Sequence, residues 1–233
     1  NVDIIPSGNG PDLGVLRAFD TTAIENRGIF LDEMTGNMNV HTVWTIGDNS
    51  LTTGNVSLRT RAGSILDARL NGAGDANPDV LAQAIDMDAH GGSIGDTGGG
   101  NDLDIDSLRN SVFVCTNDNC GDLPNGTSDP GLEADSDDVA LEAQEGIFVT
   151  ETDSYLRLVL AHATTGNIRL TVLESTPDTD EDLYLIENGT ARFAEDNTTL
   201  AGNDADAHRT IPRGQMFAET GSVELRVGDD VAL

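Results

Sequence analysis

The chain of 233 residues carries 41 acidic residues against 12 basic ones, all of them Arg, which gives a formal net charge of -29. Such a surface would repel the phosphates of nucleic acid and anionic lipid, which argues against partners of either kind. No apolar run approaches the roughly 20 residues of a membrane span, so we expect no membrane span, and cations or other proteins as partners.

The predicted elements are almost all strands. Residues 1–50 follow no regular period beyond one strand at 43–46, and we interpret them as irregular coils or a flanking segment. One short helix is predicted from the Asn-Pro-Asp start at residues 77–79. Apolar residues that alternate with charged or small ones predict half-buried strands at residues 103–105, 139–141, 156–160, 168–172 and 223–227.

An internal repeat organises residues 51–233. A small or acidic residue, a polar residue and two apolar residues at alternate positions recur from Gly54, Asp137, Gly166 and Gly221. A second beat follows several of these copies after eight or nine residues, as in Gly63-Ser64-Ile65. A short strand, a glycine-marked corner and another short strand form the unit of a β-solenoid, whose coils bury their apolar sides by stacking. We attribute the corner glycines to a need for positive φ.

The predicted fold is therefore all-β, a parallel β-helix or β-solenoid with acidic loop insertions. A β-sandwich, which also has short strands at 8–12-residue spacing, is the alternative. Residues 109–136 break the rhythm and are interpreted as a long inserted loop. Cys115 and Cys120 lie in it, and a disulfide that closes a polar loop would place the chain outside the cytoplasm. Two free thiols or a metal site are the alternatives.

Several repeat segments resemble those of a known group of proteins. Residues 54–65, 85–95, 166–172 and 221–230 resemble repeats of giant secreted bacterial surface proteins. These are proteins of the haemagglutinin/adhesin kind, including large repetitive proteins with an LEPR-x-LL-type export region. The resemblance implies a parallel β-helix at the cell surface with an adhesive or structural role, and it implies no catalytic residues. The acidic insertions and the cysteine loop depart from that pattern.

Acidic clusters are the candidate metal sites. Asp178, Asp180 and Asp182 alternate just after a proline and suit a loop that presents oxygen ligands to calcium. It is not an EF-hand loop, because Leu183 and Tyr184 follow where that loop would continue with glycine. A solvated acidic face is the alternative. The lesser candidates are Asp135, Asp137 and Asp138, and the triplet Asp102, Asp104 and Asp106, which strand alternation would point to solvent.

Catalytic motifs are missing from the sequence. His41, His90, His162 and His208 are isolated, and no nucleophile elbow occurs. We therefore predict a protein that is not an enzyme: a structural or adhesive segment of an extracellular surface or filament protein. Calcium would stabilise it, and the apolar strand at 228–233 would stack on neighbouring repeats or, head to tail, on other copies. The alternative is a β-helix enzyme that acts on acidic polysaccharide through carboxylates and Arg157, Arg169 or Arg226.

Overall fold

The computed structural model of the chain describes residues 2–5, 14–20, 27–45, 54–69, 78–82, 84–98, 101–107, 138–153, 155–174, 181–185, 214–228 and 231–232. These residues form two β-sheets and contain no helix. The all-β prediction is thereby confirmed. Cys115, Cys120, His208 and the insertion at 109–136 lie outside the described residues.

The first sheet has nine strands. They are β1 (Val2–Ile5), β2 (Val15–Asp20), β4 (Met38–Thr45), β6 (Ile65–Asp67), β7 (Val80–Leu81), β9 (Leu103–Asp106), β11 (Ile147–Glu151), β13 (Ile168–Val172) and β16 (Val223–Val227). The second sheet has eight: β3 (Arg27–Glu33), β5 (Gly54–Thr60), β8 (Ala84–Ala89), β10 (Asp138–Ala143), β12 (Leu156–Ala163), β14 (Leu183–Leu185), β15 (Gln215–Ala218) and β17 (Val231–Ala232).

Every described strand pair is parallel except β1 with β2, which is antiparallel. From β2 onward the chain passes between the sheets, and two successive strands stay in one sheet only at β6–β7 and β14–β15. Parallel pairing fits the antiparallel β-sandwich alternative poorly. The helix predicted after residue 77 is wrong, because the apolar residues there belong to strands β7 and β8.

The core lies between the sheets and is built from columns of like residues. In the first sheet Ile65, Ile94, Ile147 and Ile168 pair one after another, and all four are fully buried. In the second sheet a similar column is formed by Ile29, Val56, Ile85, Val139 and Leu158. Because side chains alternate along a strand, one register keeps every member of a column on the core side.

The corner glycines serve close approach, which corrects the reason we assigned to them. A Cβ on Gly63, Gly166 or Gly221 would lie only 2.0–2.1 Å from the backbone carbonyl oxygen of Gly36, Glu145 or Gly166, respectively. None of the three has a positive φ, whereas Gly95 and Gly214 do, at 68° and 71°. Glycine at these positions therefore lets two neighbouring segments of the chain come into backbone contact.

Asn and Ser beside these glycines join the coils at the same corner. Asn37 Oδ1 accepts a hydrogen bond from the Ser64 N–H at 2.9 Å, and Ser64 Oγ accepts one from the Ser93 N–H at 3.0 Å. Asn167 Oδ1 accepts one from the Ser222 N–H at 2.9 Å. The copies of the sequence repeat occupy two different positions in the fold. Those from Gly166 and Gly221 lie in the first sheet, and the copy from Gly54 lies in the second.

Candidate functional site

A row of polar side chains crosses the second sheet on the side away from the core. We call it the charged row. It consists of register partners on neighbouring strands: Asp32, Arg59, Asp88, Glu142, His162 and Phe217. Each is one residue away from a core residue in sequence, so strand alternation directs the row away from the core. Even so, Asp88, Glu142 and His162 are buried.

Arginine and histidine partners surround the first carboxylates of the charged row. Arg61 holds Asp32 with both Nε and NH2, the closer contact being 2.6 Å. Asp88 lies 2.7 Å from His90 Nε2 and 3.5 Å from Arg59 Nε. Buried carboxylates need such partners, because an isolated charge out of water is costly. The first half of the row therefore contains two groups of polar partners, Asp32 with Arg61 and Asp88 with His90 and Arg59.

His162 lies between two glutamates further along the charged row. Its Nε2 is 3.1 Å from Glu219 Oε1, and its Nδ1 is 3.6 Å from Glu142 Oε1. The ring stacks on Phe217, with centroids 5.9 Å apart. His162 therefore links Glu142 of β10 with Glu219, which directly follows β15.

Ser57 and Asp86 form a second contact on the same side of the sheet. The Ser57 hydroxyl donates a 2.9 Å hydrogen bond to Asp86 Oδ2, and both side chains are buried. A serine that attacks substrates needs a base such as histidine to take its proton. Here the described partner of the hydroxyl is a carboxylate, so the geometry is that of a structural bond.

A buried acid, Asp79, is the corresponding feature of the first sheet. Burial, and after it the nearby Asp67 carboxylate, raise the pKa of Asp79 to about 8. Arg69 lies 3.4 Å away and packs over Trp44, whose indole N–H donates to the Pro78 carbonyl at 2.9 Å. Asp79 is therefore protonated at neutral pH.

Another buried acid, Glu151, occupies a core position. Its register partners are Ile105 and Val172, both in the core, and Glu151 itself is fully buried. Burial raises the pKa of Glu151 well above its ordinary value, and the Asp106 charge adds to the rise, while hydrogen bonds from Ser107 oppose it. Burial therefore favours the neutral form of this acid, whereas the Ser107 hydrogen bonds favour the charged form.

The sequence-predicted metal ligands fall mostly outside the described residues, among them Asp178, Asp180, Asp135 and Asp137. Asp182 is buried, and its Oδ2 accepts a 2.6 Å hydrogen bond from the Tyr184 hydroxyl. Asp138 is the first residue of β10 and pairs with Arg157. Across the ranges that the structure describes, no group of three acidic, His or Cys side chains has metal-binding geometry.

The triplet Asp102, Asp104 and Asp106 does not point to solvent as predicted. Asp102 and Asp104 are buried and Asp106 is partly buried. Asp102 pairs with Arg169, whose Nε lies 3.1 Å from Asp102 Oδ2, and this hydrogen bond raises the pKa of Arg169. The prediction from strand alternation failed here because alternation gives no information on a partner more than sixty positions away, such as Arg169 for Asp102.

The charged row itself was missed by sequence reasoning. Asp86 and Asp88 belong to a repeat segment, and Glu142 and His162 lie one and two residues after predicted strands, yet none of the four was assigned a role. The sequence contained a signal that could have revealed the row, because each of these residues lies between two core positions of its strand. Aligning the coils by their apolar residues would have brought Asp88, Glu142 and His162 into one row.

Comparison with protein-family models, with curated proteins and with solved structures found no match to this chain. The described residues include no helix of the length and apolar character that a membrane crossing requires.

Proposed function

We propose that the chain is a β-solenoid segment with a structural role, a rod-forming part of a secreted bacterial surface protein. The observation that carries this proposal is the register of the two parallel sheets. Successive strands in each sheet keep the same positions in the core, as in the isoleucine column from Ile65 to Ile168. A stack of this kind lengthens by adding coils without a new core, which suits a rod.

The charged row supports a structural role over a catalytic one. Its charged groups are engaged with one another: Asp32 with Arg61, and Asp88 with His90 and Arg59. Two of these contacts, Arg61 with Asp32 and Arg59 with Asp88, join neighbouring strands and so help to fix their register. Catalysis would instead favour groups that face a space for substrate.

The extracellular and adhesive parts of the proposal rest on the sequence. The repeat segments resemble those of secreted adhesins, and the net charge of -29 suits a surface that meets cations outside the cell. Cys115 and Cys120 provide a test of the compartment. In protein taken from its native source, neither thiol should react with an alkylating agent until a reductant is added. Two freely reactive thiols would contradict an oxidising location.

Deletion of one coil tests the solenoid. Ile147 and Ile168 are register partners, so deleting residues 147–167 joins two equivalent corners. A solenoid should accept the loss and fold with a lower melting temperature. The matched control deletes residues 147–168, which shifts the following strand by one residue and turns its apolar side outward. We expect cooperative unfolding for the first variant only. Failure of both variants to fold would overturn the proposal.

A β-helix enzyme for acidic polysaccharide is the second candidate, and one observation favours it. Asp88 and Glu142 are register partners on adjacent strands, which lie about 4.8 Å apart. Retaining glycosidases hold their two carboxyl groups at about 5 Å. The test is release of reducing ends from uronate-containing polymers. Activity that the variants D88N and E142Q both abolish would favour the enzyme, whereas inactive wild-type protein would leave the rod.

A further inference from the structure

The first sheet ends, within the described part of the chain, on a strand that has one unoccupied side. β16 pairs in parallel with β13, and no described strand lies on its other side. Val223 is 42 % exposed, and Leu225 and Val227 are only partly buried. Their register partners in β13 are almost completely buried: Ile168, Leu170 and Val172. The apolar side of β16 is thus incompletely covered.

The peptide groups of β16 show which hydrogen bonds are available. The Ile168 N–H donates to the Ser222 carbonyl at 2.9 Å, so Ser222 turns its backbone toward β13. Along a strand the backbone groups alternate in direction. Glu224 and Arg226 therefore also face β13, while the N–H and C=O groups of Val223, Leu225 and Val227 point to the free side. An edge of this kind is a template for another strand.

The sequence of β16 is complementary to itself in the antiparallel direction. It reads Val-Glu-Leu-Arg-Val from residue 223 to residue 227. If a second β16 runs antiparallel with the two Leu225 residues opposite each other, each Val223 meets a Val227. Each Glu224 then meets an Arg226. These charged partners occupy non-hydrogen-bonded positions, where opposing side chains are closest.

We propose that β16 is a self-association surface, which pairs antiparallel with β16 of a second copy of this chain across a twofold axis at Leu225. The three outward-directed residues of each copy then exchange six backbone hydrogen bonds. In the single chain Glu224 bonds Arg226 of its own strand, with Nε to Oε1 at 2.9 Å, and both side chains are more than half exposed. Pairing extends this contact to a four-charge network.

Head-to-tail stacking is the rival arrangement, and it fits this strand less well. It would place β16 against β1, the outer strand at the opposite edge of the same sheet. β1 reads Val-Asp-Ile-Ile and contains one acidic residue and no basic one. Glu224 would find no opposite charge there, and Asp3 would add a further negative one. The twofold arrangement rests on the proposed rod, because it requires parallel sheets in which β16 is the outer strand of the described part of the chain.

The experiment is sedimentation equilibrium of the full chain at increasing concentration in moderate salt, since the net charge of -29 on each copy opposes association. Wild-type protein should pass from monomer to dimer and stop there. The variants E224R and R226E each place like charges across the axis. Each should weaken association by about tenfold or more. Mixed in equal amounts, the two variants restore every opposite-charge pair and should form a heterodimer.

Each variant is checked by circular dichroism and melting temperature, because E224R also faces Arg169 in β13. If either fails to fold, E224Q and R226Q replace the pair and should weaken association without repulsion. A folded wild-type monomer at all concentrations, continued growth beyond dimer, or a mixture that stays monomeric would overturn the proposal. None of these results would contradict the proposed rod, because the deletions of residues 147–167 and 147–168 test that proposal separately.

Discussion

Glu151 and Ser107 are 44 positions apart in sequence, yet the Ser107 hydroxyl donates a 2.7 Å hydrogen bond to Glu151 Oε2 inside the core. The Ser107 backbone N–H also reaches both carboxyl oxygens, at 3.2 and 3.3 Å. Glu151 follows four residues that continue the repeat, and its neighbours in the column are apolar. Ser107, which directly follows β9, therefore supplies the hydrogen-bond donors for an acid at a core position of the neighbouring strand β11.

The variant S107A should lose more stability than an ordinary serine substitution. It leaves a fully buried carboxyl group without its hydroxyl donor, which costs about 1–3 kcal/mol. It should also raise the pKa of Glu151 further, because the Ser107 hydrogen bond lowers it. Denaturant unfolding of S107A, E151Q and the double variant measures the coupling. Additive losses from the two single changes would show that the contact contributes little.

The corner glycines predict a second effect on stability. In G166A the new Cβ would lie 2.0 Å from the Glu145 carbonyl oxygen, so the coils must separate. We expect a loss of about 2 kcal/mol or more, since overpacking of backbone cannot be relieved by a rotamer change. G98A is the matched control, because its Cβ would meet only the end of the Asn101 side chain, at 3.3 Å. Equal melting temperatures for the two variants would contradict close approach.

Local pattern was enough to predict the strands but not their partners. The alternation in residues 168–172 and 223–227 correctly located β13 and β16, because a half-buried strand needs an apolar residue at every second position. The same rule failed at residue 80, where β7 is only two residues long and offers no period to read. Sequence also could not place Asp104 or Glu151, since their burial depends on partners from other coils.

In the candidate site too, local sequence pattern did not predict which residues are partners. His162 and Glu142 are neighbours in space only because β10 and β12 pair in parallel with these residues in register, and neither residue belongs to a motif. The repeat contained the phase needed to align them. The assignment of the corner glycines to positive φ failed for a related reason: the constraint at Gly63 comes from Gly36 of the preceding coil, not from its own turn.

Calcium remains a prediction of the sequence, and its test avoids Asp182. That carboxylate bonds Tyr184, so replacing it would disturb a structural contact as well as a ligand. Millimolar calcium should raise the melting temperature of wild-type protein beyond a sodium chloride control of equal ionic strength. The double variant D178N/D180N should lose that difference. Equal shifts with both salts would leave only screening of the acidic surface.

The raised pKa of Asp79 predicts how stability changes with pH. In the unfolded chain an Asp ionises near pH 4, whereas in the folded chain burial and then Asp67 raise the pKa of Asp79 to about 8. Between these values the folded state holds a proton that the unfolded state has released. Stability is therefore full below pH 4 and falls as pH rises toward 8, by at most about 1.4 kcal/mol per pH unit from this group. The variant D79N, which stays neutral, should show a shallower decline.

The control for D79N must separate this local effect from the general repulsion of a chain with a net charge of -29. D96N serves, because Asp96 is exposed and the substitution removes one carboxylate without changing Asp79. Urea unfolding of all three proteins at half-unit steps from pH 4.5 to 8.5 gives the slopes. We expect the stability of D96N to change with pH as that of wild type does. The stability of D79N should increase relative to both as pH rises. Parallel curves for D79N and wild type would mean that Asp79 is ionised in the fold and that Arg69, 3.4 Å away, compensates its charge.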